Sequence, residues 1–398
     1  MAGNEEAEVT PPEWTLVWDD RFREYAFGPV HPFTEASRWL AVRLMEAEGL
    51  LSTKAPRGSN WVQTVPVASS AELERFHEVE YLDLVERASQ LRESFPLDQG
   101  DTPSFLGCYD AAARIAKGTI IAADSVFDGP RRAFNPGGGL HHAHPDRASG
   151  FCIFNDLGLA IATQLKPPGR RVAYVDIDAH HGDGVMYGFY EEGRVLDIDF
   201  HQDGRTLFPG TGAVHETGRG DGSGLKVNVP LPPGTGDDAF RTLFRRVVPP
   251  MLRSFRPDLI LLQNGVDAHV DDRLAGLALT PASYHEVVAT MRAMAHELCD
   301  DRLVVTGGGG YTAANVSRVL ARVGRVLSGE QVDPSERKKL PQAWRAEFES
   351  TLGTSAPFEW GDSGVPSRSV RAPSWTHSLV GAIEESLGRS LPDEATES

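Results

Sequence analysis

Short, mainly apolar runs that end abruptly in aspartate, histidine and glycine recur along this chain, with helical spacing between them. The runs span 15–18, 132–135, 171–177, 195–200, 225–229, 259–263 and 303–306. Rich in apolar residues, they read as buried strands of a parallel sheet. Between most of them lie stretches with helical periodicity, at 36–48, 108–127, 156–165, 238–255, 282–298 and 313–327. This alternation predicts an α/β fold: a single large three-layer α/β/α domain around a mainly parallel central sheet. Pro249-Pro250 predicts a kink or a restart in the helix at 238–255. After about residue 330 the pattern weakens. Residues 331–398 read as an extension packed on the same domain, with helices at 342–352 and 376–387 around an irregular Gly-, Ser- and Pro-rich segment at 357–373.

At 398 residues, 40% hydrophobic and 24% charged, the chain can bury a large core. Its formal net charge of -17 argues against a general nucleic-acid binder, which needs an excess of Lys and Arg. That charge suits a cationic substrate and, equally, plain solubility. The three cysteines, Cys108, Cys152 and Cys299, are far apart and form no disulfide framework, as expected in a reducing cytoplasm. Residues 1–10 are acidic and lack the apolar core of a signal peptide. No apolar run approaches the ~18 residues needed to span a bilayer. A soluble cytoplasmic protein without a membrane partner is expected.

Residues 137–142, 178–183, 201–211, 264–269 and 307–311 each follow a predicted strand. In a parallel sheet these loops converge at the carboxyl ends of the strands, where ligands bind. In extended chain, residues two apart face the same side. Asp178 and His180 can therefore direct an oxygen and a nitrogen at one point, with Asp176 and Asp183 flanking them. Asp267, the first carboxylate after the run at 259–263, supplies a third ligand. Taken singly, each aspartate could instead cap a helix or shape a turn; the Asp-x-His spacing favours the metal. An Asp-His-Asp set leaves positions open for water and substrate, as catalytic zinc requires, and its two carboxylates also suit Fe²⁺ or Co²⁺.

Gly137-Gly138-Gly139-Leu140-His141-His142 pairs a flexible turn with adjacent histidines. Such a pair can be a surface accident or part of a second metal site. With Asp176 and Asp183 offering carboxylates to the two rings, it reads as general acid–base machinery. The glycines of 307–310 could cradle a phosphate, but neither a Lys-Ser/Thr nor Rossmann spacing follows. Alternatively they let Tyr311 bring its hydroxyl over the metal to stabilise an oxyanion. An aromatic residue that merely starts a helix is the plainer reading.

Five stretches occur in the order and at the spacing of one known family: Gly138-Gly139-Leu140-His141-His142-Ala143, Ala148-Ser149-Gly150-Phe151-Cys152, Asp176-Ile177-Asp178-Ala179-His180-His181-Gly182-Asp183-Gly184, Leu207-Phe208-Pro209-Gly210-Thr211-Gly212 and Gly307–Tyr311. They resemble the zinc-dependent histone deacetylase superfamily, with its arginase/deacetylase-like fold. His31-Pro32-Phe33, Gly204-Arg205-Thr206-Leu207-Phe208, Gln263-Asn264-Gly265, Asp267-Ala268-His269 and Leu340-Pro341-Gln342-Ala343-Trp344 are most similar to its bacterial and archaeal acetoin-utilisation deacetylases. The likeness runs from about Trp14 to about Trp344, so residues 1–330 are the expected catalytic domain.

The resemblance implies a role for each matching residue. Asp178, His180 and Asp267 would hold Zn²⁺. His141 would lean on Asp176 and tune electrostatics, while His142 would lean on Asp183 and act as general base. Tyr311 would polarise the acetyl carbonyl, Phe151 and Phe208 would wall a tube for the lysine stem, and Gly150 would allow close approach. Asp101 would hold the substrate backbone at the rim, with Leu274 at another rim position. A structural K⁺ would be held by Asp176, Asp178 and His180, largely through their carbonyls, together with Asp199 and Phe200. Two departures stand out: Asp199 replaces the serine usual at its position, and Arg38 comes one place later than the family's arginine of the acetate-exit region.

The implied reaction is metal-assisted hydrolysis of an acetyl-lysine amide in a protein or peptide, an acyl-CoA synthetase being one candidate. Competing readings are an acetylpolyamine or other small-amide hydrolase, a two-metal ureohydrolase, and a non-enzymatic acyl-lysine reader. An acidic residue at the rim would favour the first, and Leu274 counts against it; extra clustered carboxylates would favour the second, and Tyr311 argues against the third.

Overall fold

The computed structural model describes residues 13–51, 59–91, 95–98, 100–333, 336–361 and 373–391. Residues 1–10 and most of the irregular segment at 357–373 lie outside them. The strands are β1 (Trp14–Val17), β2 (Ser59–Val62), β3 (Arg132–Asn135), β4 (Val172–Asp176), β5 (Val195–Gln202), β6 (Lys226–Leu231), β7 (Leu259–Gln263) and β8 (Leu303–Thr306). They form one sheet in the order β2-β1-β3-β8-β7-β4-β5-β6. Every pairing is parallel. The seven expected strands are present with small shifts at their ends. β5 runs on to Gln202, so His201 belongs to the strand rather than to the loop after it. β2 was not foreseen: Ser-Asn-Trp-Val carries no apolar run because it is an edge strand, hydrogen-bonded only to β1.

The helices are α1 (Ala36–Ala47), α2 (Ser70–Leu73), α3 (Val79–Ser89), α4 (Cys108–Asp128), α5 (Asp156–Gln164), α6 (Asp183–Gly188), α7 (Asp237–Phe255), α8 (Pro281–Leu298), α9 (Ala313–Leu327), α10 (Gln342–Leu352) and α11 (Trp375–Leu387). α3 to α6 pack in sequence as one layer, and α1, α9, α8 and α7 as another. The sheet lies between them with β3, β4, β7 and β8 buried at every position. Each large apolar side chain so buried contributes roughly 1.5–3 kcal/mol. α7 does not restart at Pro249-Pro250. Val247, Val248, Met251 and Leu252 are buried on both sides of the prolines, so packing holds the two halves in line despite the missing N–H groups. In the extension, Trp344 Nε1 donates to Leu40 O on α1 (2.7 Å), and Arg246 on α7 binds Glu384 of α11 (3.0 Å).

Sheet register places the strand ends in one row. Asn135 pairs with Thr306, Thr306 with Gln263, Gln263 with Asp176 and Asp176 with Asp199. All five are buried polar residues; the loops after Asn135, Thr306, Gln263 and Asp176 emerge side by side, while β5 continues past Asp199 to Gln202.

Beneath these loops, Glu35 precedes α1 with only 2% of its surface exposed and neither carboxylate oxygen hydrogen-bonded. Its nearest cation, Arg38 Nε, is 3.9 Å away, and that guanidinium is directed at the carbonyls of Thr34 and Gly308. Burial pushes the Glu35 carboxyl up to about 8; Arg38 opposes the shift and Asp156 adds to it. The folded state therefore holds a proton that the unfolded chain releases near its ordinary 4.5. The stability this gives is complete below that pH and is lost as pH rises toward 8, at about 1.4 kcal/mol per unit at most. Glu35→Gln should flatten the slope, so denaturant melts at pH 5 and pH 8 should diverge less in the variant. Equal slopes in the two proteins would refute this assignment.

Candidate active site

β4 ends at Asp176, and the chain continues extended far enough to set Asp178 and His180 on one side. Asp267, two residues beyond Gly265 in the loop after β7, meets them: ligand atoms of Asp178, His180 and Asp267 lie within 4.8 Å of one another, and all three residues are buried. The spare oxygens are already spoken for. Gln263 Nε2 (2.9 Å) and the Gly309 N–H (2.7 Å) donate to Asp178 Oδ2, and the Ala179 N–H donates to Asp267 Oδ1 (2.7 Å). Asp178 Oδ1, which also accepts the His180 N–H (3.0 Å), and Asp267 Oδ2 face His180 Nδ1, at 3.2 and 2.8 Å. Gly309 closes the wall, because a Cβ there would sit 2.0 Å from Asp267 Oδ2. Burial disfavours a charged His180, yet the two carboxylates hold its pKa up at about 10. The same field fits a divalent cation, with two anionic oxygens and one imidazole as donors.

The adjacent histidines sit beside this cluster, each backed by its own carboxylate. His141 Nδ1 is 2.7 Å from Asp176 Oδ2, His142 Nδ1 is 2.7 Å from Asp183 Oδ1, and the two Nε2 atoms face each other at 3.0 Å. At that separation charge on one ring disfavours charge on the other. Burial works against charge on both rings. Asp176 and Asp178 overcome it at His141, raising it to about 9, whereas burial and the His141 charge take His142 down to about 4. The surrounding carboxylates thus favour charge on His141 over His142.

Aromatic rings frame the approach. Phe208 packs on His142 and His180, at 5.1 and 6.4 Å between ring centroids, and Phe151 meets Tyr311 edge-on at 6.0 Å. Phe151 is held in the left-handed region (φ 68°), its N–H on Thr102 Oγ1 (2.9 Å) and its carbonyl accepting from Tyr25 (2.7 Å). Strain of this kind persists only where surrounding contacts over-determine it. Gly150 turns the chain beside it, and a Cβ there would fall 2.4 Å from His142 and 2.9 Å from Phe208. Tyr311 places its ring 6.5 Å from that of His180. Its peptide is gripped at both ends: its N–H donates to Asp272 Oδ2 (2.9 Å), and its carbonyl accepts from Arg273 Nε (3.2 Å).

Residues 31–327 match the histone deacetylase domain. The chain belongs to the histone deacetylase family. It is 36% identical over 355 residues to the acetoin utilization protein AcuC of Bacillus subtilis strain 168, covering 87% of this chain and 89% of that one. It is 32% identical over 354 residues to the AcuC of Staphylococcus xylosus, covering 87% and 90%. Among solved structures, an HDA15 HD domain superposes with a TM-score of 0.71 at 29% identity, over 79% of this chain and 91% of that chain. The protein is thus an AcuC-like hydrolase of the histone deacetylase family, with an arginase/deacetylase-like α/β fold.

At the rim of this histone deacetylase site, Asp101 is exposed, and its carboxyl is pushed up to about 6 by partial burial and by neighbouring Asp98. His31 Nε2 lies 3.2 Å from Asp101 O and its ring meets Phe151 at 4.5 Å. Leu274 is 40% exposed on the loop that carries Asp272 and Arg273. Arg38, despite its late position, donates to Gly308 O in the glycine loop. Asp199 is wholly buried on β5; its Oδ2 accepts from the Gly182 N–H (2.6 Å) and its Oδ1 has no partner among the described residues. Burial, with Asp176 and Asp197 nearby, drives its pKa far up, which favours the protonated carboxyl. The Phe200 ring packs in the core on Phe240 and Phe244, so only its backbone could serve such an ion.

Several residues of the site were not foreseen. Tyr174, which donates to Asp176, lies inside an apolar strand where nothing marks it. Asp272 and Arg273 act on Tyr311 through its backbone, from a loop 38 or more residues away in sequence. Gln263 carried a signal, a polar residue closing an apolar run, but its bond to Asp178 depends on the sheet order. Gly150→Ala should lower turnover at least tenfold with the fold intact, read by steady-state assay beside circular dichroism. Undiminished turnover would show that Gly150 leaves spare room beside His142.

Proposed function

We propose that this enzyme hydrolyses the acetyl amide of Nε-acetyl-lysine in proteins, releasing acetate. The observation that carries the reading is the convergence, at one sheet edge, of the Asp178–His180–Asp267 cluster, a carboxylate-backed histidine pair and Tyr311 behind two phenylalanine rings. Apolar walls admit a neutral acetylated lysine at small desolvation cost and penalise a free ammonium. Zn²⁺ held by Asp178, His180 and Asp267, or Fe²⁺ or Co²⁺ in its place, would supply Lewis acidity at the acyl carbonyl.

The chain's own groups account for the proton traffic. His142, with Nδ1 on Asp183 and a depressed pKa, leaves Nε2 unprotonated to accept a proton from the attacking water. The Tyr311 hydroxyl donates to the carbonyl oxygen as it gains charge. His141, raised by Asp176, keeps positive charge beside the developing oxyanion. When the C–N bond breaks, the proton taken up by the pair passes to the lysine nitrogen, and acetate leaves. Asp101 would hold the substrate backbone at the mouth, with Leu274 beside it. One group able to hold a transition metal occurs among the described residues, which supports this chemistry over a two-metal ureohydrolase. K⁺ at Asp199 would balance a carboxylate that has no cationic partner of its own.

Metal-loaded enzyme should release acetate from an acetyl-lysine peptide, and faster than from acetylspermidine or acetylputrescine. An acetylated acyl-CoA synthetase is the first protein to try. His142→Ala should cost roughly 10²–10⁴-fold in kcat, and Tyr311→Phe about 10²–10³-fold. Turnover of the polyamines without the peptide would reassign the substrate to small amides, and acetate from neither would sink the proposal. Asp199→Ser should weaken the gain in melting temperature brought by KCl over an equal concentration of a bulky organic cation. An unchanged gain would remove K⁺ from this residue.

A further inference from the structure

Asp183 has two carboxylate oxygens and serves two imidazoles. His142 Nδ1 takes Oδ1 at 2.7 Å, and His144 Nε2 takes Oδ2 at 3.0 Å. Both pairs are buried, with 8% of the His144 side chain and 7% of the Asp183 side chain exposed. His144 is itself immobilised. Its N–H donates to Arg147 O (2.9 Å), its carbonyl faces His77 Nδ1 (3.0 Å), and its ring stacks on Tyr187 at 6.3 Å with 16° between planes. Tyr187 is tied in turn to Glu216 (2.6 Å). The start of α6 abuts the histidine segment so closely that a Cβ on Gly184 would be 2.4 Å from Ala143 O, which fixes the height of Asp183 against both rings.

The other dyad offers a comparison. Asp176 also has a further donor, the Tyr174 hydroxyl, but it shares the oxygen that His141 uses, while Oδ1 accepts from the Asp178 N–H (2.9 Å). In the Asp183 dyad a side-chain donor holds the second oxygen alone. A carboxylate pinned at both oxygens cannot rotate about its Cβ–Cγ bond, so the direction of its bond to His142 is set from the far side.

We propose that His144 is a positioning residue for catalysis: by binding Asp183 Oδ2 it orients the carboxylate that fixes the tautomer and ring plane of His142. The role rests on the deacetylase reading only through His142, and it requires a hydrogen-bond donor at position 144 rather than an imidazole as such.

The test compares His144→Leu with His144→Gln in the metal-loaded enzyme. The Leu variant should lose about tenfold in kcat for an acetyl-lysine peptide, with KM and bound metal within twofold of the parent. The Gln variant, whose amide N–H can reach the same oxygen, should recover most of that loss. A readout independent of substrate is the low-field imidazole N–H proton resonance of His142, assigned by its disappearance in His142→Ala. It should shift in the Leu variant and return toward the parent position in the Gln variant. Parental kcat and an unmoved resonance in His144→Leu would overturn the proposal. So would an equal fall in both variants accompanied by loss of metal or of melting temperature, which would mark His144 as scaffold. Failure of the parent enzyme to release acetate would count against the deacetylase reading alone, since the resonance would still decide the role of His144.

Discussion

Negative charge buried at the end of a sheet is the constraint on which this structure turns. Asp176, Asp178, Asp183, Asp199 and Asp267 are all at least nine-tenths out of water, close to a handful of imidazoles and very few other cations. Transferring an isolated carboxylate into such surroundings costs far more than a marginally stable fold can absorb. Each one present therefore needs a donor array, a protonated histidine or an ion. Asp183 has two imidazoles, Asp176 an imidazole, a phenol and a backbone N–H, and Asp178 an amide and a glycine N–H in addition to His180. The oxygens around His180 Nδ1 form a group that could hold a metal ion, and the raised pKa of Asp199 favours a proton on its carboxyl.

The sheet makes this concentration possible. Asn135, Thr306, Gln263, Asp176 and Asp199 form one register row across five neighbouring strands, so loops remote in sequence leave from a common level. β7 and β8 insert between β3 and β4 only after the chain has built the outer strands. This places Asp267 and the glycine loop between the histidine pair's strand and the Asp178–His180 strand. The glycines there meet a packing demand: Gly309 lets backbone approach a carboxylate more closely than any side chain would allow.

Much of this was legible in the sequence, and what was not failed for identifiable reasons. Apolar runs located every interior strand, because a strand covered on both faces is rich in apolar residues, although β5 also buries Asp197, Asp199 and His201. The edge strand β2 escaped because one side of it faces solvent. Asp178 and His180 were readable from a period of two, and Asp267 from its place after β7. The contributions of Asp272 and Arg273 to Tyr311 were not readable, since they act through backbone atoms whose meeting depends on how two loops lie against each other. α7 shows the converse: the proline pair is a strong local signal, overridden by buried neighbours on either side. The contact of Arg38 with Gly308 O was likewise unreadable, since it joins residues 270 apart in sequence.

The histidine pair shows how two identical side chains acquire different work. Their Nε2 atoms are 3.0 Å apart, so charge on one discourages charge on the other. Which one carries it is decided behind the rings. His141 has Asp176 on Nδ1 and Asp178 within 4.0 Å of Nε2, whereas the Asp183 behind His142 is shared with His144. Two carboxylates raise His141, whereas burial and the His141 charge outweigh Asp183 at His142, so the field favours charge on His141. Neither ring needs any special chemistry of its own: the difference between them lies in the groups behind and around each ring.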